Sequence, residues 1–252
     1  MATQIKFGTD GWRAVIAEDY TFDNVRVVAQ AIANYLKATN QADKGMVIGY
    51  DTRFHSENFA AAVAEVLAAN DIHAWLSQEA APTPAISYSI MEKKTAGGVM
   101  ITASHNPGIW NGLKIRADYA GAASPEIIAQ VEEQIEKVQA GSAPRRAPVG
   151  DLAKAGMVSY FDPKPDYFEQ IGRLVDLDAI RNAGLHVLAD AMYGAGAGYF
   201  EALLKGGTTR VTNIRSHRNP IFPGINPEPI PPNTDETSEA VRRHGADLGL
   251  VT

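Results

Sequence analysis

The chain has 252 residues, which is enough for one large domain or two domains of ordinary size. Hydrophobic residues make up 45% and charged residues 21% of the sequence, a balance typical of soluble globular proteins. The net charge of −6 argues against a nucleic-acid-binding surface, which requires a basic face. Because the sequence has no cysteine, disulfide bonds and thiolate metal sites are excluded.

Two features of the sequence bear on its location. Residues 1–6 show no apolar segment of the signal-peptide type. The longest apolar run, residues 59–69, is short and is interrupted by Glu65, so it does not predict a membrane span. We therefore expect a cytoplasmic protein that binds neither membranes nor nucleic acids.

Strand and helix patterns alternate along the first half of the chain. Amphipathic spacing and start signals predict helices over residues 22–38, 57–70, 84–93 and 125–138. Thr21, Ser56 and Ser124 are the expected caps of the first, second and fourth, and Thr83 followed by Pro84 starts the third. Apolar runs predict strands at residues 46–50, 72–76 and 99–101, with a further strand from about Leu113. This alternation predicts a mostly parallel sheet covered by helices on both faces.

Residues 140–150 interrupt the pattern and are typical of a linker, in which Arg145 and Arg146 lie in a solvated turn or contact a phosphate. Beyond them we expect helices at 163–174, 199–204 and 234–244, and strands at 186–190, 209–214 and, as an interior strand, 248–252. We therefore predict a first domain over 1–145, a linker over 146–158 and a second domain over 159–252. The five prolines in residues 222–233 predict an extended loop.

Glycines at positions 194, 196 and 198 follow the strand at 186–190, where a dinucleotide-binding turn can stand. The spacing excludes that site, because the fingerprint requires a glycine where Tyr199 stands. The six histidines likewise show no spacing typical of metal ligands.

Residues 102–107 read Thr-Ala-Ser-His-Asn-Pro and follow a buried strand, so we expect Ser104 on a tight loop at its carboxyl end. Open α/β sheets place their ligand chemistry at that edge. Lys114 and Arg116 follow within a dozen residues. Taken alone, the segment is also compatible with an ordinary turn.

Residues 5–13, Ile-Lys-Phe-Gly-Thr-Asp-Gly-Trp-Arg, place two glycines around Thr9 and Asp10. This spacing predicts a turn that brings Arg13 back toward the sheet, and a plain hairpin with an exposed arginine is the alternative. Asp51 and Arg53 follow the strand at 46–50, where we expect them to brace loops rather than to do chemistry.

Together these segments resemble the α-D-phosphohexomutases, the family of phosphoglucomutases, phosphomannomutases and phosphoglucosamine mutases. Residues 102–107 with Asn-Gly-Leu-Lys at 111–114 are similar to the active-site serine loop, and further similarity lies at residues 5–13, 51–53, 190–196 and 222–233. The resemblance implies two consecutive α/β/α three-layer domains with mostly parallel, mixed sheets, the second of them incomplete.

The resemblance also implies an enzyme, an intramolecular phosphotransferase that interconverts hexose 1-phosphate and hexose 6-phosphate through a bisphosphorylated hexose. Ser104 matches the family's phosphoserine, which binds Mg²⁺ through its phosphate, and Arg13 and Lys114 match residues near the reacting oxygens. By the same resemblance, phosphate contacts are expected at Thr102 and Asn106 as well. The residues expected to support the site are Thr9, Asp10, Asp51, Arg53 and Asn111.

Proton transfer has two candidates in this scheme. Lys114 is expected near Arg13 and Arg116, whose like charges would lower the pKa of its ammonium group. His105 is the rival, and its other role is to hold the loop in shape. A serine hydrolase fits poorly, because His105 adjoins Ser104 in sequence and no Gly-x-Ser-x-Gly motif is present.

The resemblance covers about the first half of the family pattern. In the family, the strand that matches residues 248–252 precedes an aspartate-rich Mg²⁺ loop and two further domains. We therefore expect the N-terminal portion of a mutase, inactive alone, with Mg²⁺ absent or weakly bound and with self-association through surface exposed by truncation. The alternative is a non-enzymatic α/β module that binds a sugar phosphate or a partner.

Overall fold

The computed structural model describes residues 4–141 and 143–252 of the chain. Residues 1–3, which begin the predicted first domain, and Ser142, near its end, lie outside the described residues. In the part of the chain that is described, no helix is long and apolar enough to cross a membrane.

The chain divides into two compact units, and each is described by itself. Unit 1 comprises residues 1–51, 55–103 and 109–163. Unit 2 comprises residues 52–54, 104–108 and 164–252. The loop with Ser104 therefore belongs to unit 2, although the strands that flank it in sequence belong to unit 1.

Unit 1 is built on a six-stranded mixed sheet. Its strands are β1 (Trp12–Val15), β2 (Met46–Tyr50), β3 (Ala74–Ser77), β4 (Gly97–Ile101), β5 (Trp110–Ala117) and β6 (Val158–Phe161). Their order across the sheet is β1-β5-β4-β2-β3-β6. The strands β4, β2, β3 and β6 run parallel, whereas β5 is antiparallel to both β4 and β1. The mixed, mostly parallel sheet is thus confirmed.

Helices cover both faces of this sheet. They are α1 (Phe22–Ala38), α2 (Ser56–Ala69), α3 (Thr83–Lys93), α4 (Pro125–Ala140) and α5 (Val149–Lys154). Ile48 and Val99 belong to the large core with α1, α2 and α4, whereas Val47 and Met100 pack with Ile86 of α3. Successive strand residues point to opposite faces, so one strand serves both helix layers. The predicted α/β/α layering is therefore confirmed.

The first turns of the helices show two agreements and one difference. Ser124 caps α4, because its hydroxyl accepts a hydrogen bond from the Ile127 amide at 3.4 Å. Thr21 caps α1, because its hydroxyl accepts a hydrogen bond from the Asn24 amide at 3.3 Å. Ser56, the predicted cap of α2, is instead its first helical residue. The cap position falls on His55, whose φ is +58°, and the Ser56 hydroxyl donates to Asp51 Oδ1 at 2.8 Å.

The segment predicted as a linker, residues 146–158, has regular structure. It holds α5 and the first residue of β6, and Leu152 packs against the large core of unit 1. β6 pairs in parallel with β3, starting with Val158 opposite Ala74, and unit 1 extends to residue 163. The composition of the segment indicates turns, but it carries no information about a strand partner that lies more than eighty residues away.

Unit 2 contains a three-stranded parallel sheet. Its elements are α6 (Lys164–Leu174), α7 (Leu177–Arg181), β7 (His186–Asp190), α8 (Tyr199–Leu204), β8 (Arg210–Ile214), α9 (Asp235–His244) and β9 (Leu248–Val251). The strand order is β8-β7-β9, and Val187 of β7 packs with Leu203 and Leu204 of α8. Within the described residues β9 pairs with β7 and with no other strand.

Residues 222–233 form consecutive turns rather than the extended loop that their prolines predict. The backbone amides of Phe222, Ile225 and Asn233 each donate to the carbonyl three residues earlier. Proline removes an amide donor but keeps its carbonyl acceptor, so the remaining amides can still close turns.

Gly112 of β5 lies where the neighbouring backbone leaves no room for a side chain. A Cβ atom there would lie 2.6 Å from the Thr102 carbonyl oxygen and 2.7 Å from that of Trp12. Because backbone cannot move aside cheaply, we expect Gly112→Ala to lower the free energy of unfolding by about 2 kcal/mol, as measured by urea denaturation.

Gly150→Ala is the matched control for this substitution. A Cβ at Gly150, in α5, meets no atom within 4 Å, so the change should raise the free energy of unfolding by about 0.5 kcal/mol. Equal stabilities for Gly112→Ala and the unsubstituted chain would contradict the close packing at Gly112.

Candidate active site

Ser104 lies on the loop that joins β4 to β5. Its backbone is in the left-handed region, with a φ of +57°. This conformation costs a non-glycine residue on the order of 1 kcal/mol, and strain of this kind concentrates at functional sites. Ser104 is only partly buried and His105 is exposed, so solvent reaches the loop that carries them.

The loop is held from inside by Arg53, which is only 1% exposed. The Arg53 guanidinium donates hydrogen bonds to the carbonyl oxygens of Ser104 at 2.7 Å, Asn106 at 2.7 Å and Pro107 at 2.9 Å. A planar guanidinium has five N–H donors in a fixed arrangement, which suits several carbonyls at once. Arg53 therefore fixes the path of the backbone at and after Ser104.

In unit 1, a set of hydrogen-bonded polar side chains connects the end of β2 with the beginnings of α2 and β5. Asn111, fully buried, donates from its side-chain amide to the Ser56 hydroxyl at 2.9 Å, and Ser56 donates to Asp51. The Asp51 amide in turn donates to the Ile101 carbonyl at 3.0 Å. Buried polar groups that satisfy one another rigidify the surrounding backbone, so this chain of hydrogen bonds holds the carboxyl ends of β2 and β4 together.

Positive charges gather on β1 and β5 of unit 1. Arg13 stands opposite Gly112 in the antiparallel pairing, so it shares a sheet face with Gly112, Lys114 and Arg116. A Cβ at Gly112 would lie 3.0 Å from Cγ of Arg13, which shows that the glycine makes room for that side chain. Three cations on one face form an arrangement that suits an anionic ligand.

One carboxylate balances part of this charge. Lys114, with its side chain 7% exposed, donates from Nζ to Asp10 Oδ2 at 2.6 Å, and Arg116 approaches Asp10 Oδ1 at 3.8 Å. Burial by itself raises the pKa of Asp10, but the Lys114 hydrogen bond and the charges of Lys114, Arg116 and Arg13 lower it below its ordinary value. Lys114 therefore faces an anion as well as the like charges that the sequence predicted around it.

The structure brings some predicted residues together and leaves others apart. Contacts join Asp10 with Lys114, Asp51 with Asn111 through Ser56, and Arg53 with Ser104 and Asn106. Thr9 is exposed and Thr102 is buried. The roles of Thr9 in supporting the site and of Thr102 in binding phosphate stay predictions.

Arg145 is exposed and pairs with Asp71 at 3.3 Å, which agrees with a solvated turn.

Two residues take part in the site although no sequence motif identifies them. Ser56 has the sequence signal of a helix cap, and its distance of five residues from Asp51 allows the hydrogen bond that forms. Arg218 precedes Asn219-Pro220, a sequence that indicates only an ordinary surface turn. It donates to the backbone carbonyls of Thr52 at 3.1 Å and Arg53 at 3.0 Å within unit 2.

A magnesium ion needs several oxygen ligands, of which carboxylates are the usual protein source. Among residues 4–141 and 143–252, no group of three or more histidine, aspartate or glutamate side chains is placed to hold a metal ion. The described residues therefore do not fit Mg²⁺ by themselves.

The ion pair of Asp10 predicts a pH-dependent contribution to stability. Because the folded-state pKa of Asp10 is lowered, its stabilisation is complete above the ordinary aspartate pKa and is lost as the pH falls below about 4. We expect Asp10→Asn to lower the free energy of unfolding by about 1 kcal/mol at pH 7, since it leaves the buried Lys114 without its counterion.

Urea denaturation at pH 7 and at about pH 3.5 measures this effect, and the difference between the variant and the unsubstituted chain should shrink at the lower pH. Asp43→Asn, at an exposed carboxylate, is the control and should have little effect at either pH. A deficit of Asp10→Asn that grows on acidification would show that the ion pair does not stabilise the fold.

Two domain models of one known protein family match successive parts of the chain. The model of phosphoglucomutase/phosphomannomutase alpha/beta/alpha domain I matches residues 4–142. The model of alpha/beta/alpha domain II of the same family matches residues 165–252. The matches cover the loop of Ser104 in the first case and all of α6 through β9, except Lys164, in the second.

Individual relatives agree with this assignment. Phosphoglucosamine mutase of Rhodococcus opacus is 34% identical over 246 residues, which are 97% of this chain and 53% of that protein. The phosphoglucomutase/phosphomannomutase of Thermococcus kodakarensis is 31% identical over 245 residues, which are 97% of this chain and 52% of the relative.

A solved structure is similar over the whole chain. A protein of Thermus thermophilus, provisionally assigned as a phosphomannomutase, matches with a TM-score of 0.86 and 32% identity, covering 100% of this chain and 55% of that one. The chain thus spans about half the length of the curated relatives it matches. By its two domain matches, it belongs to the phosphoglucomutase/phosphomannomutase family of α-D-phosphohexomutases.

Proposed function

We propose that this chain carries the phosphoserine part of a phosphohexomutase, with Ser104 as the residue that accepts and returns the phosphoryl group. The observation that carries the proposal is the conformation of the Ser104 loop and the way in which it is held. The loop holds a partly exposed serine in a left-handed conformation, with three carbonyls of the loop bound to one buried arginine. Fixed placement of the nucleophile is the main requirement of phosphoryl transfer, which needs positioning and charge stabilisation more than covalent help.

The proposed step exchanges one phosphorus–oxygen bond for another. The Ser104 hydroxyl oxygen forms a bond to phosphorus while the bond from phosphorus to a sugar oxygen breaks, and the serine proton passes to that sugar oxygen. In reverse, the phosphoserine gives its phosphoryl group to a sugar hydroxyl. Two such exchanges on different hydroxyls interconvert hexose 1-phosphate and hexose 6-phosphate through a bisphosphorylated hexose.

We assign the charged residues of unit 1 to the anionic groups of this reaction. Arg13 and Lys114 bind the phosphoryl oxygens, and Lys114 is the first candidate for proton transfer, with His105 as the alternative. Asp10 holds the Lys114 ammonium at a fixed position, as their 2.6 Å contact supports. Thr102 and Asn106 remain candidates for phosphate contacts, and Thr9, Asp51 and Asn111 for support of the site.

The substrate class that we propose is a phosphorylated hexose of the glucose, mannose or glucosamine type, in keeping with the names of the relatives. Such substrates are charged and do not cross a bilayer unaided, so the proposal places the reaction in the cytoplasm. Mg²⁺ supplies neutralisation of phosphate charge when bound, and its proposed contact to this chain is the phosphate on Ser104.

Stoichiometric phosphorylation tests the proposal. Because the chain spans about half the length of its relatives, the test addresses the exchange at Ser104 rather than complete interconversion. Incubation with α-glucose 1,6-bisphosphate and Mg²⁺ should add one phosphoryl group per chain, which intact-mass and peptide mass spectrometry would locate on Ser104.

Ser104→Ala should abolish this modification, whereas Ser238→Ala, at an exposed serine of α9, should leave it unchanged. The second candidate function is a non-enzymatic module that binds a sugar phosphate. Calorimetric binding of glucose 6-phosphate without any phosphorylation of Ser104 would favour that function and contradict phosphoryl transfer.

A further inference from the structure

Arg53 is buried together with an aromatic ring from a distant part of unit 2. The Arg53 guanidinium carbon lies 5.2 Å from the centroid of the Phe222 ring, and Phe222 is 4% exposed. A cation over an aromatic face gains more stabilisation when both are shielded from water. Phe222 thus covers the guanidinium on one side while the carbonyls of the Ser104 loop accept its hydrogen bonds.

The backbone that carries Arg53 is itself fixed. Arg218 donates to the carbonyl oxygens of Thr52 and Arg53, at 3.1 and 3.0 Å. The Thr52 hydroxyl donates to the Tyr193 carbonyl at 2.8 Å. Segment 52–54 is therefore anchored to two later segments of unit 2, and its arginine has little freedom to move away from the loop.

We propose that Arg53 is a positioning residue for Ser104 and that the Phe222 ring completes its site. This inference rests on the proposed function and deepens it, because it identifies what holds the phosphoryl-accepting serine in its left-handed conformation. In this scheme Arg53 acts through the backbone carbonyls of the loop rather than by binding the substrate. A lysine cannot replace it, since one ammonium group on a flexible stem does not match three carbonyls in fixed positions.

A second contact joins the segment that contains Phe222 to the serine loop. Gly108 approaches the segment that contains Phe222 so closely that a Cβ there would lie 2.7 Å from the Pro220 carbonyl oxygen. The turn-rich segment at 219–226 therefore contacts the serine loop directly at Gly108 and indirectly through Arg53. Changes in this segment should alter the serine loop without touching the reacting groups.

Two variants test the inference, Arg53→Lys and Phe222→Leu, and Arg26→Lys is the matched control. Arg26 is a partly buried arginine of α1 that pairs with Glu65 at 3.5 Å, so the control makes the same chemical change outside the Ser104 loop and its contacts. Hydrogen exchange by mass spectrometry should show the amides of residues 103–109 exchanging at least about 10-fold faster in Arg53→Lys, and faster to a smaller extent in Phe222→Leu. Peptides from β2 and β7 should be unchanged.

Phosphorylation of Ser104 by α-glucose 1,6-bisphosphate provides the second readout. In Arg53→Lys the maximal rate constant should fall about 100-fold, while the bisphosphate concentration for half-maximal rate stays the same, because Arg53 does not bind the substrate. A general loss of stability would lower the melting temperature without this separation. Phe222→Leu, which keeps Arg53, guards against the case in which Arg53→Lys does not fold.

The two readouts separate this inference from the proposed function. If the unsubstituted chain takes up no phosphate, the proposed function fails, and the exchange rates of residues 103–109 still decide the role of Arg53. Unchanged loop exchange in both variants, relative to Arg26→Lys, would overturn the inference even if Ser104 is phosphorylated.

Discussion

The buried guanidinium of Arg53 is the interaction on which the candidate site depends. A left-handed serine costs on the order of 1 kcal/mol, whereas hydrogen bonds that involve a charged group contribute about 1.5–3 kcal/mol each. Arg53 makes three such bonds to carbonyls of the Ser104 loop. These bonds, together with the Phe222 ring over the guanidinium, act against the cost of one strained residue.

In unit 1, the candidate site depends on the repulsion among positive side chains and on its partial relief by one carboxylate. Arg13, Lys114 and Arg116 would repel one another on one sheet face, and Asp10 relieves part of that repulsion by accepting from Lys114 at 2.6 Å. The same carboxylate fixes the direction of the lysine side chain. The group remains positive overall, which suits phosphate, and Gly112 provides the space that Arg13 needs. Placement and charge are thus supplied by separate sets of residues.

Much of the fold was predictable because local signals were strong. The strands β2 and β7 and the helices α1 and α8 have the bounds that apolar runs and capping residues predict. The differences arise where tertiary pairing decides. β6 joins β3 across more than eighty residues, a pairing that the composition of residues 146–158 does not reveal. Of the candidate site, the motifs predicted that Arg53 and Asp51 brace loops, but not that Arg53 binds loop carbonyls or that Ser56 links Asp51 to Asn111.

The most direct test of the central claim is a crystal structure of the chain after incubation with α-glucose 1,6-bisphosphate. The account predicts phosphate density on the Ser104 oxygen, a positive φ at that residue, and the Arg53 guanidinium bound to the carbonyls of Ser104, Asn106 and Pro107. An unmodified Ser104 in an extended conformation, with Arg53 turned away from the loop, would contradict it.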